Sequence, residues 1–323
     1  MALCLVKQGF GQRSADERGD TAMEFKDLVV IVLAGNDENP DLLGGSGQPS
    51  KFFMPFGHET VGDRILRAVD GLNCCKSIYL AVPGGSAQEQ GFTTERPLHL
   101  VSEGATRTES MMNTVREAER QGDYVGGDYV LVITGDLPLL SSSALDRLIE
   151  ACEGADEADL YLGMIPLSAV ADELRQAYQT ALLPYCDGVY LHSDVCLLRP
   201  DAVSEAGRNR FEEYMSVRRA HLNSLGSILR VSVTLLRIVG LRRLFPLARV
   251  IVGLRARDRG DPDRALSALE GVDRLLPSLV EEKFGLRVGL VTVHEPGLAL
   301  DFDYVEQLKL LEEWDVQHRL TDL

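Results

Sequence analysis

The chain has 323 residues, 45% of them hydrophobic and 25% charged, which is ordinary globular composition with enough apolar material for one large core or two smaller ones. Its 49 acidic against 33 basic residues give a formal charge of -16, which argues against a protein that wraps nucleic acid through phosphate contacts. Any anionic substrate therefore needs a local positive pocket or a metal. The six cysteines, at 4, 74, 75, 152, 186 and 196, form no C-x-x-C pair and no zinc-spaced cluster, and several lie in apolar runs. A reducing, cytoplasmic setting fits that usage.

Residues 1–23 read as an N-terminal arm, either flexible or an upstream extension ahead of a start at Met23, with no secretory signal pattern. Ordered pattern begins near Glu24. LVVIVLA, residues 28–34, is an apolar run that stops at Gly35, and a glycine-containing loop, NDENPDLLGGSGQPS, leads to Lys51. Residues 59–70 place Val61, Ile65, Leu66 and Val69 at helical spacing, and 77–83 (SIYLAVP) read as a second buried strand, making a βαβ unit. A short strand at 98–101, a helix at 108–121 and a strand at 129–134 follow. A serine-rich N-cap then opens a helix over 143–152. Residues 160–166 and 188–191 are further strand candidates. Nearly continuous apolar strands alternating with amphipathic helices predict an open, mostly parallel α/β sheet.

Residues 222–254 differ in kind: almost wholly apolar, yet interrupted by Arg230, Arg237, Arg242, Arg243 and Arg249, so that no charge-free run reaches the roughly 18 residues that span a bilayer. Helices covering the sheet, a homodimer surface and an interfacial helix meeting a membrane are the three readings of this segment. After a polar linker, a helix at about 264–284 and a strand at 286–293 return the chain to the sheet. Asp301-Phe302-Asp303-Tyr304 then precedes a last helix with Val305, Leu308, Leu311 and Trp314 inward. The division expected is a single domain over 24–323 carrying a helical insertion at 222–284.

In open α/β sheets the ligand crevice lies beyond the carboxyl ends of the strands, so residues just after each buried run share one neighbourhood. Collected in order, these are Ala34 and Gly35, the loop to Lys51, Gly104 to Ser110, Gly135 and Asp136, and Asp301 and Asp303. Backbone N–H groups of a glycine loop can cradle phosphates, Lys51 and Arg107 can neutralise them, and two carboxylates from distant segments can hold a magnesium ion. Each also has a plainer reading. Asp136 can stabilise its own turn. Asp303 and Glu306 can form a capping box. Gly104, Arg107 and Ser110 can be a turn, a surface cation and an N-cap residue. Arg208, Arg210, Arg218 and Arg219 are acceptor-phosphate candidates or a solvated basic helix face.

LAG, the loop to Lys51-x-Phe53-Met54-x-Phe56-Gly57, EGATRTES, ITGDLPLL and DFDYVEQL, taken together, resemble the MobA-like nucleotidyltransferase superfamily, over roughly 26–200 and 285–314. That resemblance implies a Rossmann-like nucleotide-diphospho-sugar transferase fold. It also implies a Mg²⁺-dependent transfer of an NMP unit from a nucleoside triphosphate to a phosphorylated small-molecule acceptor, releasing pyrophosphate. Ala34, Gly35, Lys51, Gly104, Arg107, Ser110 and Gly135 would bind the nucleotide. Lys51 and Asp136 would be catalytic, and Asp136 and Asp303 would be metal ligands, with Asp301 a second choice. The family loop usually reads L-A-G-G-x-x-x-R-x-G-x-x-K; here Asn36 stands at the second glycine and no arginine lies between Gly35 and Lys51. Two rival readings follow: a nucleotide-sugar-dependent glycosyltransferase on a related fold, and a catalytically silent nucleotide-binding homologue.

Overall fold

The structure is a computed structural model that describes residues 23–35, 47–84, 91–175, 177–178, 183–184, 188–209 and 272–321. The expected arm, most of the loop between Gly35 and Lys51, the segment 222–254, and Arg210, Arg218 and Arg219 lie outside the described residues. The chain divides into two compact units.

The first unit (residues 1–182, 191–200 and 289–323) is built on the sheet. Strand β1 (Leu28–Leu33) is followed by a 3₁₀ turn (Lys51–Phe53) and a two-strand hairpin, β2 (Pro55–Phe56) and β3 (Glu59–Thr60). Helix α1 (Val61–Asp70) then begins with a complete capping box between Thr60 and Asp63, which satisfies both partners' backbone N–H groups. Strand β4 (Cys75–Val82), strand β5 (Leu98–Ser102), helix α2 (Arg107–Gln121) and strand β6 (Val130–Thr134) come next. Helix α3 (Ser142–Glu153) is capped by Ser141, and strand β7 (Leu160–Pro166) and a short helix α4 (Asp172–Arg175) complete this stretch. Strand β9 (Val189–Leu198) crosses between the units, as does strand β10 (Val288–Thr292), and helix α6 (Val305–Thr321) ends the first unit.

The main sheet runs β10-β7-β9-β6-β1-β4-β5. Strand β1 pairs parallel with β4 and with β6, and β4 pairs parallel with β5, whereas β9 runs antiparallel to β6. The central strands read as unbroken apolar runs because they are covered on both faces; Val30, Ile31, Val32, Ile78, Leu80, Leu131 and Ile133 are wholly buried. The chain leaves β1 toward β4 and β5, then returns to place β6 on the other side of β1. The order reverses between β1 and β6, and that is where a doubly wound sheet opens its ligand crevice.

Sequence expectation and structure part company at β9. Periodicity marks a strand only over 188–191, but the strand continues to Leu198 and alternates buried with half-buried residues from Leu191 to Leu197, as expected of an antiparallel strand bearing His192 and Asp194.

The second unit (residues 183–190 and 201–288) contains a short antiparallel pairing of β8 (Leu183–Pro184) with residues 189–190, and helix α5 (Val272–Phe284), which carries Pro277. Gly207 packs so closely that a Cβ there would lie 2.9 Å from the Phe284 carbonyl oxygen. Gly285 follows α5 at a φ of +73°, the left-handed conformation that glycine supplies at a helix end.

Candidate active site

Gly135 sets the architecture of the crevice. Its N–H donates to the Leu33 carbonyl at 2.9 Å, and a Cβ on it would stand 2.8 Å from the Ala34 Cα and 2.9 Å from that carbonyl oxygen. Only glycine lets the tips of β1 and β6 close to this distance. Asp136 is therefore delivered directly beside the end of β1, buried to 7% exposure.

Lys51 approaches from a different part of the chain. Phe52 and Phe53, each 1% exposed, pack edge to face and anchor its turn, with Phe52 wedged against Gly62 of α1. The turn closes through Met54 N–H to the Lys51 carbonyl, and Val61 N–H donates back to Met54. The anchored lysine side chain, 7% exposed, donates to Asp136 Oδ2 at 3.2 Å and to Asp303 Oδ1 at 2.9 Å, and its Nζ lies 5.5 Å from the centre of the Phe302 ring. Phe302 is fully buried between its two neighbouring aspartates, which fixes the D-x-D segment with Asp303 outward at 66% side-chain exposure. Residues 51, 136 and 303 thus meet at one point.

Asp136 uses one carboxylate oxygen for Lys51; the other, Oδ1, is buried and has no hydrogen-bond partner among the described residues. A buried acceptor left in this state costs about 1–3 kcal/mol, so an unfilled Oδ1 at a strand tip calls for a ligand. Its chemistry fits a hard cation: Mg²⁺ takes one or two carboxylates and completes its shell from water and substrate phosphates. Among the described residues no group of three His, Cys, Asp or Glu could hold a metal without such help.

The remaining sequence candidates are placed as follows. Ala34 is buried, its N–H donating to the Ala81 carbonyl at 2.8 Å. Gly35 faces Glu103, whose Oε2 would lie 2.6 Å from a Cβ at position 35. Gly104 donates to Ser110 Oγ at 2.9 Å, and that hydroxyl donates in turn to the Thr106 carbonyl, so Ser110 braces its own loop. Thr106 caps α2, accepting from Glu109 N–H, while Glu109 accepts from Ala105 N–H. Arg107 is the exposed first residue of that helix and makes no ion pair among the described residues. Asp301 offers its backbone carbonyl to Tyr178 at 2.5 Å. For Asp303 the residue reaching back to the start of α6 is Gln307, which accepts from the N–H groups of Asp303 and Tyr304.

Residues 30–164 fit the family model of the MobA-like NTP transferase domain. Over those residues the chain is similar to that family. The matched stretch holds β1 from Val30 onward, Lys51, the Gly104–Ser110 loop and Asp136, while Asp303 lies beyond it. The fold is shared with a structure described as a hypothetical transferase from Thermus thermophilus, 19% identical, covering 87% of this chain and 99% of that one at a TM-score of 0.54. A 4-diphosphocytidyl-2C-methyl-D-erythritol synthase from Anaerococcus prevotii is 11% identical, with 90% of this chain and 99% of that one covered, at a TM-score of 0.46. No curated protein matches the sequence.

Residues around the crevice to which sequence reasoning assigns no role include Tyr178 and Arg64, outside the motifs, and Glu103 and Gln307, within them. Burial first, and then the carboxylates of Asp301, Asp303, Asp136 and Asp194, push the Tyr178 phenol well above its ordinary range. Arg64, 8% exposed, donates to the Pro138 carbonyl at 3.0 Å, to Glu59 at 2.8 Å and to Asp315 at 2.6 Å, and stacks over Phe56. It ties the loop that follows Asp136 to α1 and α6. No helix of the described residues is long and apolar enough to cross a membrane.

Proposed function

We propose that the protein is a Mg²⁺-dependent nucleotidyltransferase that joins an NMP unit from a nucleoside triphosphate to a phosphorylated small-molecule acceptor. The observation that carries this reading is the buried Asp136 carboxylate at the switch point of the sheet, with one oxygen on Lys51 and the other unfilled, and with Asp303 at the same lysine. A phosphate oxygen of the acceptor attacks the α-phosphorus, the bond to the β-phosphate oxygen breaks, and pyrophosphate leaves. No protein nucleophile is needed.

Asp136 and Asp303 would hold the Mg²⁺. When bound, the ion neutralises phosphate charge and polarises the α-phosphoryl group, which is worth several kcal/mol in the transition state. Lys51 balances the two carboxylates, and its ammonium is the group available to take up charge on the triphosphate. The rigid strand tips and the aromatic anchor of Lys51 hold these side chains in place, which is how positioning lowers the barrier. Gly104, Arg107 and Ser110 border the same end of the sheet and are the proposed nucleoside side of the site.

Pyrophosphate release tests the reading. The protein with each of CTP, GTP, UTP and ATP, Mg²⁺, and pools of phosphorylated sugars, polyols and pterins should liberate pyrophosphate with one triphosphate, dependent on Asp136. Binding of a triphosphate with no release from any pool would favour a silent nucleotide-binding homologue. Release of a free nucleoside diphosphate from a nucleotide sugar would favour a glycosyltransferase.

A further inference from the structure

The segment that carries Asp303 is held by two residues to which the sequence assigns no role, Tyr178 outside the motifs and Gln307 within DFDYVEQL. Tyr178 Oη donates to the Asp301 carbonyl at 2.5 Å. Two residues on, the N–H groups of Asp303 and Tyr304 donate to one oxygen, Gln307 Oε1, at 2.7 and 3.2 Å. The amide nitrogen of the same Gln307 donates to the Ala177 carbonyl at 3.3 Å. Between these ties Phe302 is fully buried. The turn at Ala177–Tyr178 thus grips the D-x-D segment on both sides of its buried ring, directly through the phenol and indirectly through the glutamine.

This arrangement has a specific consequence for Asp303. Its side chain is mostly exposed, and packing alone would not fix it. What directs its carboxylate to Lys51 is the backbone on which it stands, and the brace fixes that backbone at residues 301, 303 and 304. Tyr178 itself lies among the carboxylates of the site, since Asp301, Asp303, Asp136 and Asp194 all act on its phenol.

We propose that Tyr178 and Gln307 are positioning residues that set the metal-ligand geometry of Asp303. The inference rests on the nucleotidyltransferase reading of the Asp136–Asp303 pair. Outer partners that orient a ligand typically govern 10–100-fold in metal affinity. None of the four hydrogen bonds of the brace goes to Lys51 or Asp136, so its loss should weaken the metal while leaving the rest of the site in place.

The test uses Mn²⁺ as the probe, followed by water-proton relaxation on the full chain, with unfolding temperature measured in parallel without metal. Wild type should bind Mn²⁺, and Asp136→Asn should abolish binding. Tyr178→Phe, which keeps the ring and removes one hydroxyl, should weaken Mn²⁺ about tenfold, as should Gln307→Met. Gln307→Glu keeps the acceptor for the two N–H groups and should restore affinity to within about threefold of wild type. In turnover the two weakened variants should need more metal yet approach the wild-type kcat once metal saturates. Variants that lower the unfolding temperature while binding Mn²⁺ like wild type would make the brace purely structural and overturn the proposal. A wild-type protein that binds no Mn²⁺ would overturn the metal-site reading itself, together with this inference.

Discussion

The Lys51–Asp136 pair is the feature whose removal can be reasoned through in numbers. The two side chains are 7% and 10% exposed with 3.2 Å between the charged atoms. At an effective dielectric of about 20 their attraction is roughly 5 kcal/mol, most of which offsets the cost of taking both charges out of water. Lys51→Met leaves the Asp136 carboxylate buried and uncompensated, and stability should fall by about 3–5 kcal/mol. Asp136→Asn should cost less, about 2 kcal/mol, because Asp303 still meets the ammonium at 2.9 Å. Asp303→Asn should cost under about 1 kcal/mol, since that carboxylate is 66% exposed and solvent screens it. The double variant Lys51→Met/Asp136→Asn removes both charges together and should lose about 2 kcal/mol less than the sum of the singles. Urea unfolding followed through the single tryptophan, Trp314, reads these values as midpoint shifts at constant slope. Additive losses for Lys51 and Asp136, or an Asp303→Asn loss as large as that of Asp136→Asn, would refute the reasoning.

Other perturbations have equally definite outcomes. Gly135→Ala forces a Cβ to 2.8 Å from the Ala34 Cα and must part the tips of β1 and β6; thermal unfolding should show a loss of about 1–3 kcal/mol, and pyrophosphate release should fall with it. Arg64→Met removes one partner each from Glu59, which keeps its ion pair with Arg67, and from Asp315, and frees the Pro138 carbonyl, so denaturant unfolding should register about 1–3 kcal/mol. Burial pushes the thiols of Cys74 up to about 11 and of Cys75 and Cys196 up to about 12, which keeps them protonated at pH 8. Peptide-level mass spectrometry should therefore find all three scarcely alkylated by iodoacetamide in the native protein and fully alkylated in urea.

How far the sequence can be read depends on where the information sits. Strands β1, β4 and β6 were legible because covering both faces demands an unbroken apolar run, and the strand-end rule then gathered residues 34–35, 104–110 and 135–136 at one edge. That Lys51 meets both Asp136 and Asp303 joins residues 85 and 252 positions apart; the strand-end rule put all three in one neighbourhood, but not the contact between them. The brace was not legible at all: Tyr178 and Asp301 are 123 positions apart, Gln307 and Ala177 are 130 apart, and neither Tyr178 nor Gln307 sits in a pattern that periodicity or capping rules single out. Arg64 reads as one more charge on an amphipathic helix until its guanidinium is seen to reach Pro138 and Asp315. Gly135 is the opposite case, since a glycine before a strand-tip aspartate reads as a turn residue, whereas its physical role is to admit the backbone of β1.

The most direct test of the account is thermal unfolding of wild type and Asp136→Asn with each of the four nucleoside triphosphates, with and without Mg²⁺. At a hundred times its dissociation constant a ligand stabilises by about 2.7 kcal/mol, a shift that is easily resolved. The account predicts that one triphosphate raises the unfolding temperature of wild type only when Mg²⁺ is present and leaves Asp136→Asn unmoved. Stabilisation that is independent of Mg²⁺ and undiminished in Asp136→Asn, or no stabilisation by any of the four, would contradict it.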